Sequence, residues 1–302
     1  MDYTDYYIQC QRMFPGDKPK LNLKDLGVLI ISPTNNDNEG VLKLPPDYLK
    51  LVDSLAAKIN YKFQDEKNCY LQKGVSPEDD LALRLKDPFQ LSEIHDLANL
   101  ILPQIETSIF GSYVHVMHTL IYRNNVIENP KLRSSWKWHY DNHPNEVIKI
   151  MIYLNDVDEN TAPLEYLVDA EDNFVKIQPS RTGPENWFGK PKWPESRVPD
   201  SVLKEYLEKG YKTKKVTGQK GTVLIFSQNI LHRANVAKIN PRNVAVFQLK
   251  PYKTKLSPYI HQKWTGSFQH RPTLVNPLTI KPIKKESLAV TLGKLKSRFL
   301  KQ

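Results

Sequence analysis

From Ser112 onward the chain is a succession of short runs rich in β-branched and aromatic residues, separated by Gly, Asn, Asp and Pro. The runs occupy 112–122, 147–154, 164–168, 174–177, 223–226 and 244–249. Strands of this length and spacing fit an antiparallel sandwich or barrel with helices packed outside it. Helical spacing dominates the first third of the chain and returns in a helix-like piece at 201–209. Leu49, Val52, Leu55 and Ile59 recur at helical steps after Pro45-Pro46, and 91–101 repeats the pattern before ending near Pro103. Ser76-Pro77-Glu78-Asp79 has the cap, proline and acids of another helix start. Leu26–Ile31 is an apolar lead-in strand. The expected class is α+β with a mainly β core.

Composition narrows the setting. With 40% hydrophobic and 25% charged residues, a chain of 302 residues can bury a sizeable core. No run reaches the roughly 18 to 20 apolar residues that cross a bilayer. Met1–Tyr7 lacks the basic start and apolar stretch of a signal peptide. Cys10 and Cys69 are the only cysteines, which disfavours a disulfide framework or a cysteine-based zinc site. These features predict a soluble protein of a reducing compartment, the cytoplasm.

The formal charge of +10 is unevenly placed: Lys250–Gln302 carries +11 and the remainder −1. Within that tail Leu288, Leu292, Leu295 and Phe299 recur at helical steps, with Lys294, Lys296, Arg298 and Lys301 between them. A basic amphipathic C-terminal helix is expected. It would dock on the body or on a second copy, or engage an anionic partner such as nucleic acid.

The chemistry is concentrated in Trp136-Lys137-Trp138-His139-Tyr140-Asp141. On a strand, period-two alternation would send His139 and Asp141 to one face. Ninety-one residues after Asp141, His232 closes an apolar run and a turn that begin at Gly221. Two His and one carboxylate on one side of a divalent metal leave three positions open, the arrangement of non-haem Fe(II) oxygenases. Ten residues beyond His232, Arg242 offers a planar bidentate fork for the far carboxylate of a 2-oxoglutarate cosubstrate.

The ordered set H-x-D, distal His inside G-x-V-L-x-F-x-x-x-x-x-H, and Arg ten residues on resembles the Fe(II)/2-oxoglutarate-dependent dioxygenases. The phytanoyl-CoA dioxygenase and prolyl-hydroxylase-like branches are nearest, and Ile148–Asp156 is similar to the strand and turn that they place after H-x-D. The resemblance implies a double-stranded β-helix, or jelly roll. It makes His139, Asp141 and His232 the iron ligands and Arg242 the cosubstrate clamp, with O2 as oxidant and ascorbate as a stimulant. Ala234 stands where the phytanoyl branch commonly offers a serine, so Tyr122 is expected to supply that hydrogen bond. Trp138, Trp187 and Trp193 are expected against the substrate, with Trp136 a further candidate for the pocket wall.

Three regions follow: 1–111, a strand and helices packed outside; 112–252, the catalytic core with a lid-like insertion at 179–215; and 253–302, the basic extension. The expected activity is hydroxylation of an unactivated C–H bond in a small-molecule or carrier-linked substrate, with release of succinate and CO2. The alternative is a non-catalytic jelly-roll module whose basic tail binds nucleic acid or another anion.

Overall fold

The computed structural model describes residues 3–34, 40–65, 68–70, 82–130, 132, 134–180 and 191–261. The helix expected from Ser76, Trp187 and the basic C-terminal helix lie outside these residues. In chain order the elements are α1 (Tyr3–Arg12), β1 (Val28–Ile31), α2 (Tyr48–Lys62), β2 (Cys69–Tyr70), β3 (Ala82–Leu85), α3 (Ser92–Ile105) and β4 (Tyr113–Asn124). Then come β5 (Ile148–Tyr153), β6 (Leu164–Val168), α4 (Asp200–Glu208), β7 (Lys212–Val216), β8 (Val223–Ser227), β9 (His232–Ala234) and β10 (Arg242–Tyr252). One sheet has the order β1-β8-β5-β10-β4-β3-β2 and a smaller one β7-β6-β9, and the pairings between these strands are antiparallel. The two sheets form a jelly-roll-like sandwich.

Alternation along the central strands decides which side chains serve each layer. Ile148, Ile150 and Ile152 of β5, with Ala245, Phe247 and Leu249 of β10, pack on Val52, Leu55 and Ile59 of α2 and Ile94, Leu97 and Ile101 of α3. Their neighbours in sequence, Met151, Tyr153, Val244 and Val246, turn the other way and meet Leu164, Tyr166 and Val216 of the smaller sheet. The helices therefore cover the outer face of the large sheet, and the space between the sheets is left for a site.

Four local expectations are corrected. Residues 174–177 form two isolated bridges, Val168↔Phe174 and Lys176↔Ile230, instead of a strand. The Asp169 carboxylate, accepting the amide N–H groups of Glu171 and Asn173, turns the chain sharply just before them. β2, β3, β7 and β9 are strands the sequence did not announce; β7, Lys-Thr-Lys-Lys-Val, pairs with β6 at the edge of its sheet, and lysines suit an edge strand because they oppose further pairing. Helix α3 runs through Pro103 to Ile105 and continues as a wider π turn, Glu106–Phe110. The H-x-D segment is not a strand; only His139 makes ladder contacts, to His232 and Arg197.

Candidate metal centre

Backbone pairing brings the three predicted ligands together. His139 and His232 form an antiparallel bridge in which each amide N–H donates to the other's carbonyl at 2.9 Å. The Asp141 N–H donates to the Gln228 carbonyl at 2.8 Å, so the loop before β9 holds this residue as well. The ligand atoms of His139, Asp141 and His232 all lie within 4.8 Å of one another, an arrangement that can hold a metal ion. His139 Nε2 is 3.7 Å from Asp141 Oδ1, and His232 Nε2 is 3.8 Å from Oδ2.

Both rings are oriented from behind. His139 Nδ1 is 2.8 Å from the Lys137 carbonyl and His232 Nδ1 is 2.9 Å from the Ile230 carbonyl. A carbonyl only accepts, so each Nδ1 carries the proton and each Nε2 keeps its lone pair toward the centre. Burial, then the neighbouring His232 ring, hold His139 well below the usual imidazole range. Burial likewise lowers His232, with Asp141 in partial opposition. For Asp141, burial alone would raise the carboxyl, but the Lys149 ammonium beside it outweighs burial and holds the group below the usual carboxylate range. Two neutral imidazoles and one carboxylate make a donor set suited to Fe(II).

A cavity of about 140 Å³ opens between the sheets, lined by His139 and His232 as well as Tyr122, Asn124, Lys149, Trp136, Phe226 and Arg242. The Arg242 side chain is fully buried, and its Nε and Nη1 have no hydrogen-bond partner among the described residues. Asn124, opposite Arg242 on β4, is also buried, and neither amide atom has a hydrogen-bond partner among the described residues. A guanidinium taken out of water without an anion is costly. A carboxylate entering this end of the cavity would satisfy Arg242 and the Asn124 N–H together.

The predicted residues divide between two places. Tyr122 and Arg242 line the cavity with the two histidines. Trp138 packs instead in a neighbouring cluster with Tyr140, Leu167 and Val198, and the Arg233 guanidinium lies 5.0 Å from its ring centre. Trp193 stacks edge-on against Tyr140 in the same cluster, at 6.1 Å. Trp136, not Trp138, reaches the cavity wall. Sequence reading passed over Asn124 and Lys149. Lys149 carried a signal, being the one charged residue in the otherwise apolar alternation of Ile148–Tyr153.

No family profile and no curated protein matches the sequence. Solved structures share the fold. The non-heme alpha ketoglutarate dependent epimerase SnoN from nogalamycin biosynthesis aligns with a TM-score of 0.52 and 12% identity, over 94% of this chain and 97% of that one. SnoN in complex with Fe3+, alpha ketoglutarate and nogalamycin RO gives 0.51 at 12% identity, again over 94% and 97%. The carbocyclase SnoK from the same biosynthesis gives 0.50 at 11% identity, over 92% and 93%. No helix among the described residues is long and apolar enough to cross a membrane.

Proposed function

We propose that the protein is a non-haem Fe(II)- and 2-oxoglutarate-dependent oxygenase that hydroxylates an unactivated C–H bond of a small-molecule or carrier-linked substrate. The carrying observation is that one cavity is lined both by two histidines of a triad that could hold a metal and by a buried arginine whose Nε and Nη1 have no partner among the described residues. Fold likeness to SnoN and SnoK supports the reading. Those two proteins are an epimerase and a carbocyclase, so the fold leaves the oxidative outcome open.

His139, Asp141 and His232 would hold the iron, and Arg242 would receive the far carboxylate of 2-oxoglutarate through its fork, with Asn124 and Tyr122 beside it. Bound iron with 2-oxoglutarate and dioxygen supplies a two-electron oxidation coupled to decarboxylation, giving succinate and CO2. Met151, Phe226 and Val246 line the cavity with apolar surface and keep water from the reacting centre. In this reading 112–252 is the catalytic core and the 179–215 insertion serves the substrate side. The basic 253–302 extension is a contact for an anionic partner or a second copy. Cys10 and Cys69, both free and buried, suit a cytoplasmic setting.

Anaerobic addition of Fe(II) and 2-oxoglutarate tests the assignment. A weak visible absorption band is expected, lost in His139→Ala and Asp141→Ala. No band, together with no succinate formed under air, would reject the enzyme in favour of a binding module. Succinate release across a small-molecule library would then identify the substrate class.

A further inference from the structure

We propose that Lys149 is a positioning residue of the metal centre that limits Asp141 to one metal-binding oxygen. The proposal rests on the iron site described above. Lys149 lies on the inward face of β5 in line with Met151 and Tyr153, where its neighbours are apolar. Its Nζ donates to Asp141 Oδ2 at 2.6 Å, a short charge-assisted bond, and it lines the cavity beside both histidines. Asp141 Oδ1 lies 3.7 Å from His139 Nε2 and Oδ2 lies 3.8 Å from His232 Nε2, so both carboxylate oxygens face the imidazoles. The ammonium engages Oδ2 and leaves Oδ1 as the free donor. A carboxylate restrained in this way keeps an additional metal position available to cosubstrate or oxygen.

The cation acts on metal and cosubstrate in opposite senses. It repels a divalent ion, and it also prevents the carboxylate from occupying a second position. Removing it should therefore tighten metal binding and weaken cosubstrate binding. A residue that only supports the fold would weaken both.

Lys149→Met, Lys149→Gln and Lys149→Arg test this by anaerobic calorimetric titration with Fe(II), followed by optical titration of the iron-loaded protein with 2-oxoglutarate. For Lys149→Met the expected result is Fe(II) affinity equal to or tighter than wild type and 2-oxoglutarate affinity about tenfold weaker. Lys149→Arg, which keeps the charge and the donor, should restore 2-oxoglutarate affinity to within about twofold. Should Lys149→Met fail to fold, Lys149→Gln is read in the same way. Unchanged affinities would show that the ammonium leaves Asp141 when metal enters, and a parallel loss of both would assign it a structural role; either overturns the proposal. Failure of the wild type itself to bind Fe(II) in an Asp141-dependent manner would instead reject the iron site.

Discussion

The imidazoles of His139 and His232 stand 4.3 Å apart, centre to centre, at a tilt of 46°. Their separation is set by the reciprocal backbone bonds between the two residues, not by the side chains, so either ring can be removed with the bridge kept. His232→Ala should abolish Fe(II) binding and leave the far-ultraviolet circular dichroism unchanged. Calorimetric titration with Fe(II) and a spectrum of the variant check both halves.

Arg242 should matter to the cosubstrate and not to the metal. Arg242→Lys keeps a charge but loses the planar fork, and hydrogen bonds to charged groups contribute about 1.5–3 kcal/mol. The 2-oxoglutarate dissociation constant should rise about 10- to 100-fold, while the Fe(II) constant stays within about twofold. Optical titration of the metal-loaded protein reads the first and calorimetry the second.

Stability should fall in acid through His115. Burial, then Lys250, His261 and His118 around it, lowers this imidazole from 6.5 to about 3. Below pH 6.5 the unfolded chain takes up a proton that the folded chain refuses until about pH 3. His115 therefore contributes fully above pH 6.5 and loses about 1.4 kcal/mol per pH unit on the way down. Denaturant unfolding at pH 7 and pH 5 should show His115→Asn losing about 2 kcal/mol less than wild type over that interval.

Gly27 is fixed by the ring that covers it. A Cβ there would fall 1.9 Å from Phe174 Cδ2, and the Gly27 carbonyl accepts the Ser227 N–H at 3.0 Å, anchoring the lead-in to β1. Gly27→Ala should cost about 1–3 kcal/mol. In a double-mutant cycle Phe174→Ala should recover part of that cost, with coupling of at least about 0.5 kcal/mol. Strict additivity would show that the ring moves aside freely.

Phe247 is fully buried where β10 meets the helical layer. Phe247→Ala should destabilise by about 3–5 kcal/mol, read from denaturant unfolding.

Legibility in the sequence followed the strength of the physical pattern. The runs at 147–154 and 244–249 were readable as strands because their two faces serve two cores, which forces alternation on them. β7 was invisible because an edge strand of lysines has no apolar face to reveal it. The grouping of His139, Asp141 and His232 was legible through the resemblance of the ordered motifs and their flanking pattern, although the H-x-D segment is a bridged loop where a strand was expected. All three residues pair with distant backbone, and that pairing leaves no local signature. Trp138 misled because proximity in sequence to His139 does not set direction: the indole turns into the Tyr140 cluster while Trp136 reaches the cavity.

The bridge between His139 and His232 also bears on how the site comes into being. The two residues are 93 positions apart, and β10, which carries Arg242, enters between β4 and β5 as the last described strand. Contacts of such long range form only after the entropy of closing a large loop has been met. A chain that has folded only through β8 possesses His139 and Asp141 but neither the second imidazole nor the guanidinium. The two imidazoles and the guanidinium therefore meet only when β9 and β10 have paired with strands far earlier in the chain.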